Sequence, residues 1–209
     1  MRDDTSDAAE LQIDALLGIR TTGRDESHAT QDNNPYEPTP YAVLERIANS
    51  GLVGKRNTLV DYGCGKGRVG LYLAYQARCR VIGVEVDPWL HECARRNLET
   101  TRAPRARVSF ELADAATWDP PAEADRYFLF NPFSAAVFEQ VLGRIRASLD
   151  RRPAGAPEAL LLCYYPDDSF VDLLERTPWL EAREPLDCRA LFSDGADPRE
   201  RVAVYGATG

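Results

Sequence analysis

Short apolar runs, each followed by a stretch of helical spacing, organise the chain between Thr58 and Tyr165. Thr58-Leu59-Val60 is β-branched and apolar and ends on Asp61, as expected of a parallel strand buried on both faces. Arg80–Glu85, Val108–Leu112, Tyr127–Phe130 and Ala159–Tyr165 predict four more strands. Between them the period changes. Val69, Leu71, Tyr72, Leu73 and Ala74 have helical spacing, and Val137, Phe138, Val141, Leu142 and Ile145 form an apolar stripe at three- and four-residue intervals. Asp87-Pro88 opens a helix, with Asp87 as cap and Pro88 in the first turn, and Pro166-Asp167-Asp168 opens another. Thr39 is placed to cap an earlier helix with Pro40 in its first turn. That helix runs through Val43, Leu44, Ile47 and Ala48 to Ser50-Gly51. The alternation of strand and helix predicts an α/β fold with a Rossmann-like, doubly wound sheet.

The two ends read differently. Residues 1–34 are polar, acidic and short on aromatics; Ala8 to Leu17 has helical spacing that Gly18 ends, and Thr21 to Asn34 reads as a mobile loop. This segment is expected to be either a frayed tail or a lid helix over a ligand, with residues 35–209 forming the main domain. Near the other end, Leu180 to Leu191 and Arg201 to Tyr205 are strand-like, separated by the turn-rich Ser193 to Pro198.

The candidate chemistry begins where the first strand stops. Gly63, Gly65 and Gly67 turn the chain between Asp61 and the helix that follows, and strand, glycine turn and helix make the nucleotide-binding corner of such a sheet. A triphosphatase loop needs Gly-Lys followed by Ser or Thr, but Gly65-Lys66 is followed by Gly67. The dinucleotide spacing G-x-G-x-x-G is met by Gly65, Gly67 and Gly70, which keeps an NAD(P)-dependent oxidoreductase open. Asp61 opposes that reading: a carboxylate at the strand end faces a pyrophosphate unfavourably and suits a ligand carrying an ammonium group. Glu85 ends the second strand about 20 residues after the glycine turn, where a carboxylate can accept from two ribose hydroxyls; its alternative is a surface ion pair.

Asp61-Tyr62-Gly63-Cys64-Gly65-Lys66-Gly67 resembles the first motif of class I S-adenosylmethionine-dependent methyltransferases. The resemblance covers Tyr36 to Tyr165, and its motifs occur in the family's order. It implies that Gly63, Cys64, Gly65 and Gly67 cradle the methionine end of S-adenosylmethionine. It implies that Asp114 accepts from the adenine amino group while the Ala115 N–H donates to the ring; the alternative is a cap on Ala115 to Trp118. Asn131-Pro132-Phe133-Ser134 resembles the [Asp/Asn]-Pro-Pro-[Tyr/Phe] signature of enzymes that methylate an amino nitrogen, but one proline stands between Asn131 and Phe133 instead of two. There the resemblance implies that the Asn131 amide oxygen and the Pro132 carbonyl accept from the substrate amine and that Phe133 stacks on its plane. The plain alternative is a strand-end turn with Ser134 capping a helix. Tyr36 and Tyr41, in an entry segment similar to that of small bacterial members, stand either at the substrate mouth or in the packing of the helix on the sheet. The strand-like tail fits the antiparallel last pair that the family adds.

Composition narrows the partners. The chain has 209 residues, 44% hydrophobic and 28% charged, enough for a real core. Its net charge of −8 opposes a generic nucleic-acid binder, which carries a basic footprint. Five widely spaced cysteines without a C-x-x-C pair read as reduced thiols, and with His28 and His91 the only histidines no zinc cluster can be drawn. Asp167 and Asp168 are better placed as helix-start carboxylates than as metal ligands. No secretory signal or membrane-length apolar run is visible, so a cytoplasmic protein is expected. The expected activity is methyl transfer to a nitrogen acceptor on a protein side chain, small molecule or nucleobase; a non-catalytic adenosyl-binding scaffold is the other alternative.

Overall fold

The computed structural model describes residues 4–27, 30, 32–193 and 195–208, without the side chains of residues 4–7. His28 lies outside the described residues. Helix α1 spans Asp4–Leu17 and α2 Tyr41–Asn49; then β1 (Thr58–Tyr62), α3 (Arg68–Gln76), β2 (Arg80–Glu85), α4 (Pro88–Thr100), β3 (Val108–Leu112), β4 (Arg126–Leu129), α5 (Ala135–Leu149) and β5 (Leu160–Tyr164) follow. The chain closes with α6 (Asp168–Arg176), β6 (Leu180–Ala182), β7 (Leu186–Asp187) and β8 (Arg201–Ala207).

The strands lie in the order β3-β2-β1-β4-β5-β8-β6, and β7 also pairs with β8. The first five are parallel, and β8 runs antiparallel to β5, β6 and β7. The mostly parallel sheet with an antiparallel end is the predicted architecture. Alternation along each strand divides the apolar residues between two cores. Leu59, Val81, Phe128, Leu162 and Val204 join α2 and α3 on one face; Val60, Tyr127, Leu161 and Tyr205 join α5 and α6 on the other.

Two boundaries differ from the sequence reading. Helix α2 begins one residue late, with Pro40 at the cap position and no cap from its own side chain. The Tyr41 N–H instead donates to Glu10 of α1 at 2.9 Å, and the Thr39 carbonyl accepts from Arg68 at 3.2 Å. The stretch from Leu180 to Leu191 is not one strand. Ala182 pairs with Tyr205 and Leu186 with Val202, so four steps on one side match three on the other. That one-residue bulge contains Pro185, which has no N–H to give to a ladder.

The strand order reverses between β1 and β4, so their carboxyl ends open a crevice, the usual ligand position in an open α/β sheet.

Candidate functional site

A cleft of about 960 Å³ occupies that crevice. Asp61, Gly63, Cys64 and Gly65 from the first corner, Glu85 from β2, Asp114 and Ala115 after β3, and Asn131, Pro132 and Phe133 after β4 all border it. Four strand ends that are far apart in sequence therefore meet as the order of the motifs implied.

The glycine corner is shaped by close approach. Gly63 has φ +68°, and a Cβ there would stand 2.3 Å from Pro132 Cβ; Gly65 has φ +54°, and its Cβ would stand 2.4 Å from the Tyr36 ring. Both require glycine on two counts. Gly67 does not border the cleft. A Cβ there would meet the Phe110 ring at 2.5 Å, so this glycine serves helix–sheet packing.

Two acidic side chains lie beneath the turn. Asp61 is 2% exposed, and its Oδ2 has no hydrogen-bond partner. Burial, then the charge of Glu85, pushes its pKa well above the usual carboxylate range. Glu85 is 6% exposed; its Oε2 accepts from the Gly65 N–H at 2.8 Å and its Oε1 from the Asp87 N–H at 2.9 Å. Burial raises its pKa as well, against the pull of those backbone donors. The Cys64 thiol is raised by burial and by both carboxylates, which keeps it protonated. Among the described residues, the buried side-chain atoms without a partner are Asp61 Oδ2, Tyr62 Oη and Asn131 Oδ1, and all three residues border the cleft. Such unpaired groups are costly, and their gathering at one cavity fits a ligand with matching donors and a positive charge.

Asp114 Oδ1 accepts from the Ala116 N–H at 2.9 Å, the turn-capping arrangement, while the residue still borders the cleft.

The tetrad after β4 departs from its expected roles. Asn131 Nδ2 donates to the Tyr165 carbonyl at 2.7 Å, which leaves Oδ1 as the acceptor without a partner. The Pro132 carbonyl already accepts from the Asn34 N–H at 3.1 Å, and the Asn131 carbonyl from Asn34 Nδ2 at 2.7 Å. Asn33 bridges Phe133 in antiparallel fashion, so the polar segment before Tyr36 lies along the tetrad. Phe133 is 4% exposed, and its ring packs against Phe138 and Phe170 with centroids 6.3 Å away in each case. The residue packs in the core while also bordering the cleft. Ser134 caps α5 through Val137 N–H at 3.4 Å. Asn131 and Tyr165 have φ values of +39° and +50°; such outliers cluster at functional sites, and tyrosine tolerates this region poorly.

The two tyrosines part company. Tyr36 borders the cleft, rests on Gly65 and donates from its hydroxyl to the Thr21 carbonyl at 2.5 Å. Tyr41 does not reach the cleft. It is 1% exposed, donates to Asp14 Oδ1 at 2.5 Å and lies under the Arg68 guanidinium, 4.2 Å from the ring centroid. Tyr41 thus belongs to a latch that fixes the N-terminal segment. Asp14 accepts from the Thr21 N–H at 2.5 Å and the Thr22 N–H at 3.0 Å, and Arg68 pairs with Glu10 and contacts Thr21 Oγ1 at 2.7 Å. Burial raises the Asp14 pKa, but the donors from Thr21 and Tyr41 and the Arg68 charge hold it below the ordinary value. Asn34, Arg68 and Tyr165 border the cleft without having been singled out in the sequence. Their roles come from partners at long sequence distance, so only the fold discloses them.

Among the described residues, no group of three or more His, Cys, Asp or Glu side chains is placed to hold a metal ion, and no helix is long and apolar enough to cross a membrane.

Residues 59–152 match the family model described as "Methyltransferase domain". The chain is 34% identical over 86 residues to a ribosomal protein L11 methyltransferase of Photobacterium profundum, covering 41% of this chain and 27% of that protein. It is 33% identical over 119 residues to the one of Marinobacter nauticus, covering 57% and 34%. The match spans about a third or less of the length of these relatives. Among solved structures, an RNA methyltransferase from Salinibacter ruber in complex with S-adenosyl-L-homocysteine superposes with a TM-score of 0.62 at 20% identity, covering 82% of this chain and 94% of that one. A precorrin-6y C5,15-methyltransferase from Geobacter metallireducens gives 0.57 at 16% identity, with 91% and 100% covered. These likenesses establish the shared fold.

Proposed function

Taking as premise that the chain belongs to the class I S-adenosylmethionine-dependent methyltransferases, we propose that it is an enzyme that methylates a nitrogen acceptor held beside Asn131. The observation that carries this reading is the buried pair Asp61 and Glu85 under one glycine turn, with Asp61 Oδ2 lacking a partner. A carboxylate in that state favours a cationic ligand. S-adenosylmethionine bears both an ammonium and a sulfonium, and two of the structural neighbours are described with S-adenosylhomocysteine or S-adenosylmethionine bound. Bound there, it supplies a methyl group activated by the sulfonium.

Asp61 and the turn at Gly63 to Gly65 are the residues to hold its amino-acid end, Glu85 its ribose, and Asp114 with Ala115 its adenine. Tyr36, seated on Gly65, limits water at the turn. Asn131 Oδ1 accepts from an acceptor N–H and so fixes where the nitrogen lone pair points. Such placement lowers a barrier by about 7–11 kcal/mol in ideal cases. Among the described residues, the cleft border includes no histidine or lysine to act as a base for a hydroxyl acceptor, which supports nitrogen.

Calorimetry with S-adenosylhomocysteine tests the site. Wild type binds, and Asp61→Ala binds at least tenfold more weakly without loss of thermal stability. Equal affinity of the two proteins would refute the assignment of Asp61.

A further inference from the structure

The acceptor end of the cleft offers less than a planar amino group needs. An exocyclic base amine presents two in-plane N–H donors and a flat ring, so it calls for two acceptors and a stacking face. Here the Pro132 carbonyl already accepts one N–H, that of Asn34 at 3.1 Å, and the Phe133 ring packs against Phe138 and Phe170. Among the described residues of the tetrad, Asn131 Oδ1 is the buried side-chain acceptor with no partner. An amine on a saturated carbon needs no ring platform, and one hydrogen bond suffices to set its lone pair.

Charge points the same way. The cleft is bordered by Asp32, Glu37, Asp61, Glu85, Asp87 and Asp114 against Arg24 and Arg68. Both arginines are in ion pairs, Arg24 with Glu26 and Glu37, Arg68 with Glu10 and Asp14. Walls of this sign concentrate an ammonium ion and repel phosphate. Resting on the methyl-transfer reading, we infer that the acceptor is an amine on a saturated carbon, cationic at neutral pH, aligned by Asn131 Oδ1, and that Asn34 contributes to this specificity by occupying one lone pair of the Pro132 carbonyl, which weakens its grip on a planar amine. The ammonium first loses a proton to solvent. The nitrogen lone pair then forms the bond to the methyl carbon, and the sulfur–carbon bond breaks with its electron pair kept by sulfur, which leaves the product as the methylated ammonium.

The test uses the full chain and S-adenosylmethionine carrying a tritiated methyl group. The acceptors are butylamine, a lysine peptide with a blocked N-terminus, adenosine and a single-stranded oligonucleotide. Label is expected in the two alkylamines, with kcat/KM rising close to tenfold per pH unit between 7 and 9, because the neutral fraction of an amine of pKa about 10 rises at that rate. Added sodium chloride should lower kcat/KM at least threefold. Label entering adenosine or the oligonucleotide as fast as the amines would overturn the inference, and so would a flat pH profile. Asn34→Pro removes the N–H that occupies the Pro132 carbonyl, and should raise adenosine labelling at least fivefold over wild type. No rise in a variant that keeps its affinity for S-adenosylhomocysteine would remove Asn34 from the account. Wild type that binds S-adenosylhomocysteine but labels neither alkylamine also overturns the inference. Failure to bind S-adenosylhomocysteine at all would instead bring down the methyl-transfer reading beneath it.

Discussion

Asp61 and Glu85 are both buried acids at strand ends, yet they differ in what their loss should do. Glu85 ties down the Gly65 and Asp87 amides, whereas Asp61 Oδ2 has no partner. Hydrogen bonds to a charged group are worth roughly 1.5–3 kcal/mol. Glu85→Ala is therefore expected to lower stability by about 2 kcal/mol or more as well as weaken ligand binding. Asp61→Asn is expected to raise the melting temperature of the unliganded protein at pH 7. The sign follows from its raised pKa. The protonated form is the one that folding favours, so the stability linked to it is complete below about pH 3.9, the unfolded value, and is lost as pH climbs through the folded value. Thermal melts of wild type and Asp61→Asn across pH 4 to 8 should thus diverge, with the variant increasingly ahead. A gap that narrows with rising pH would contradict the electrostatic account of the cleft. Affinity for S-adenosylhomocysteine, whose ammonium prefers ionised Asp61, should rise over the same range.

At the scale of elements, α1, α2 and α3 share a buried apolar core and are also tied together by Arg68. This side chain, 2% exposed at the first position of α3, meets Glu10 and Asp14 of α1, the Thr39 carbonyl before α2, and the hydroxyls of Thr21 and Thr22. Arg68→Ala strands two carboxylates in a largely dry setting, which typically costs 3–5 kcal/mol. It should also loosen the tie of Thr21 and Thr22 to α3 and with it Tyr36, whose ring rests on Gly65. Limited proteolysis is expected to cut the variant before Tyr36 at protease levels that leave wild type intact; equal resistance would show that the latch is dispensable. Local sequence could not disclose this junction. The start of α2 was placed at Thr39-Pro40 from cap preferences, but its first N–H is served by Glu10, thirty-one residues upstream. The Asn131 tetrad was legible as a strand-end motif, while its occupied carbonyl depended on Asn34, ninety-seven residues from Asn131. Asp87-Pro88, whose cap lies within three residues, was placed correctly: Asp87 Oδ1 accepts from Trp89 and Leu90.

For the whole molecule, the strands with continuous apolar runs were legible because a parallel strand covered on both faces leaves no position for polar residues. The broken segment after α6 was not, since Leu180 and Leu186 sit on a partly exposed edge where a bulge costs little. The central sheet then has a consequence for cooperativity. Its two cores touch different helices but share every central strand: β1 sends Leu59 to one and Val60 to the other, and β8 sends Val204 and Tyr205 likewise. Neither core can melt while the other keeps its strands in register. Leu44→Ala in the first core and Phe138→Ala in the second, where Phe138 stacks on Phe170 at 4.2 Å, remove fully buried side chains. Such truncations cost about 2–5 kcal/mol. With a shift of about 2–4 °C per kcal/mol for a chain of this size, each should lower the melting temperature by roughly 4–20 °C. The two cores are predicted to fall together: near-ultraviolet circular dichroism, reporting aromatic packing, and far-ultraviolet, reporting helix and sheet, should keep coincident midpoints in both variants. A variant in which one signal melts well before the other would mean that the faces fold as separate units and that the sheet does not couple them.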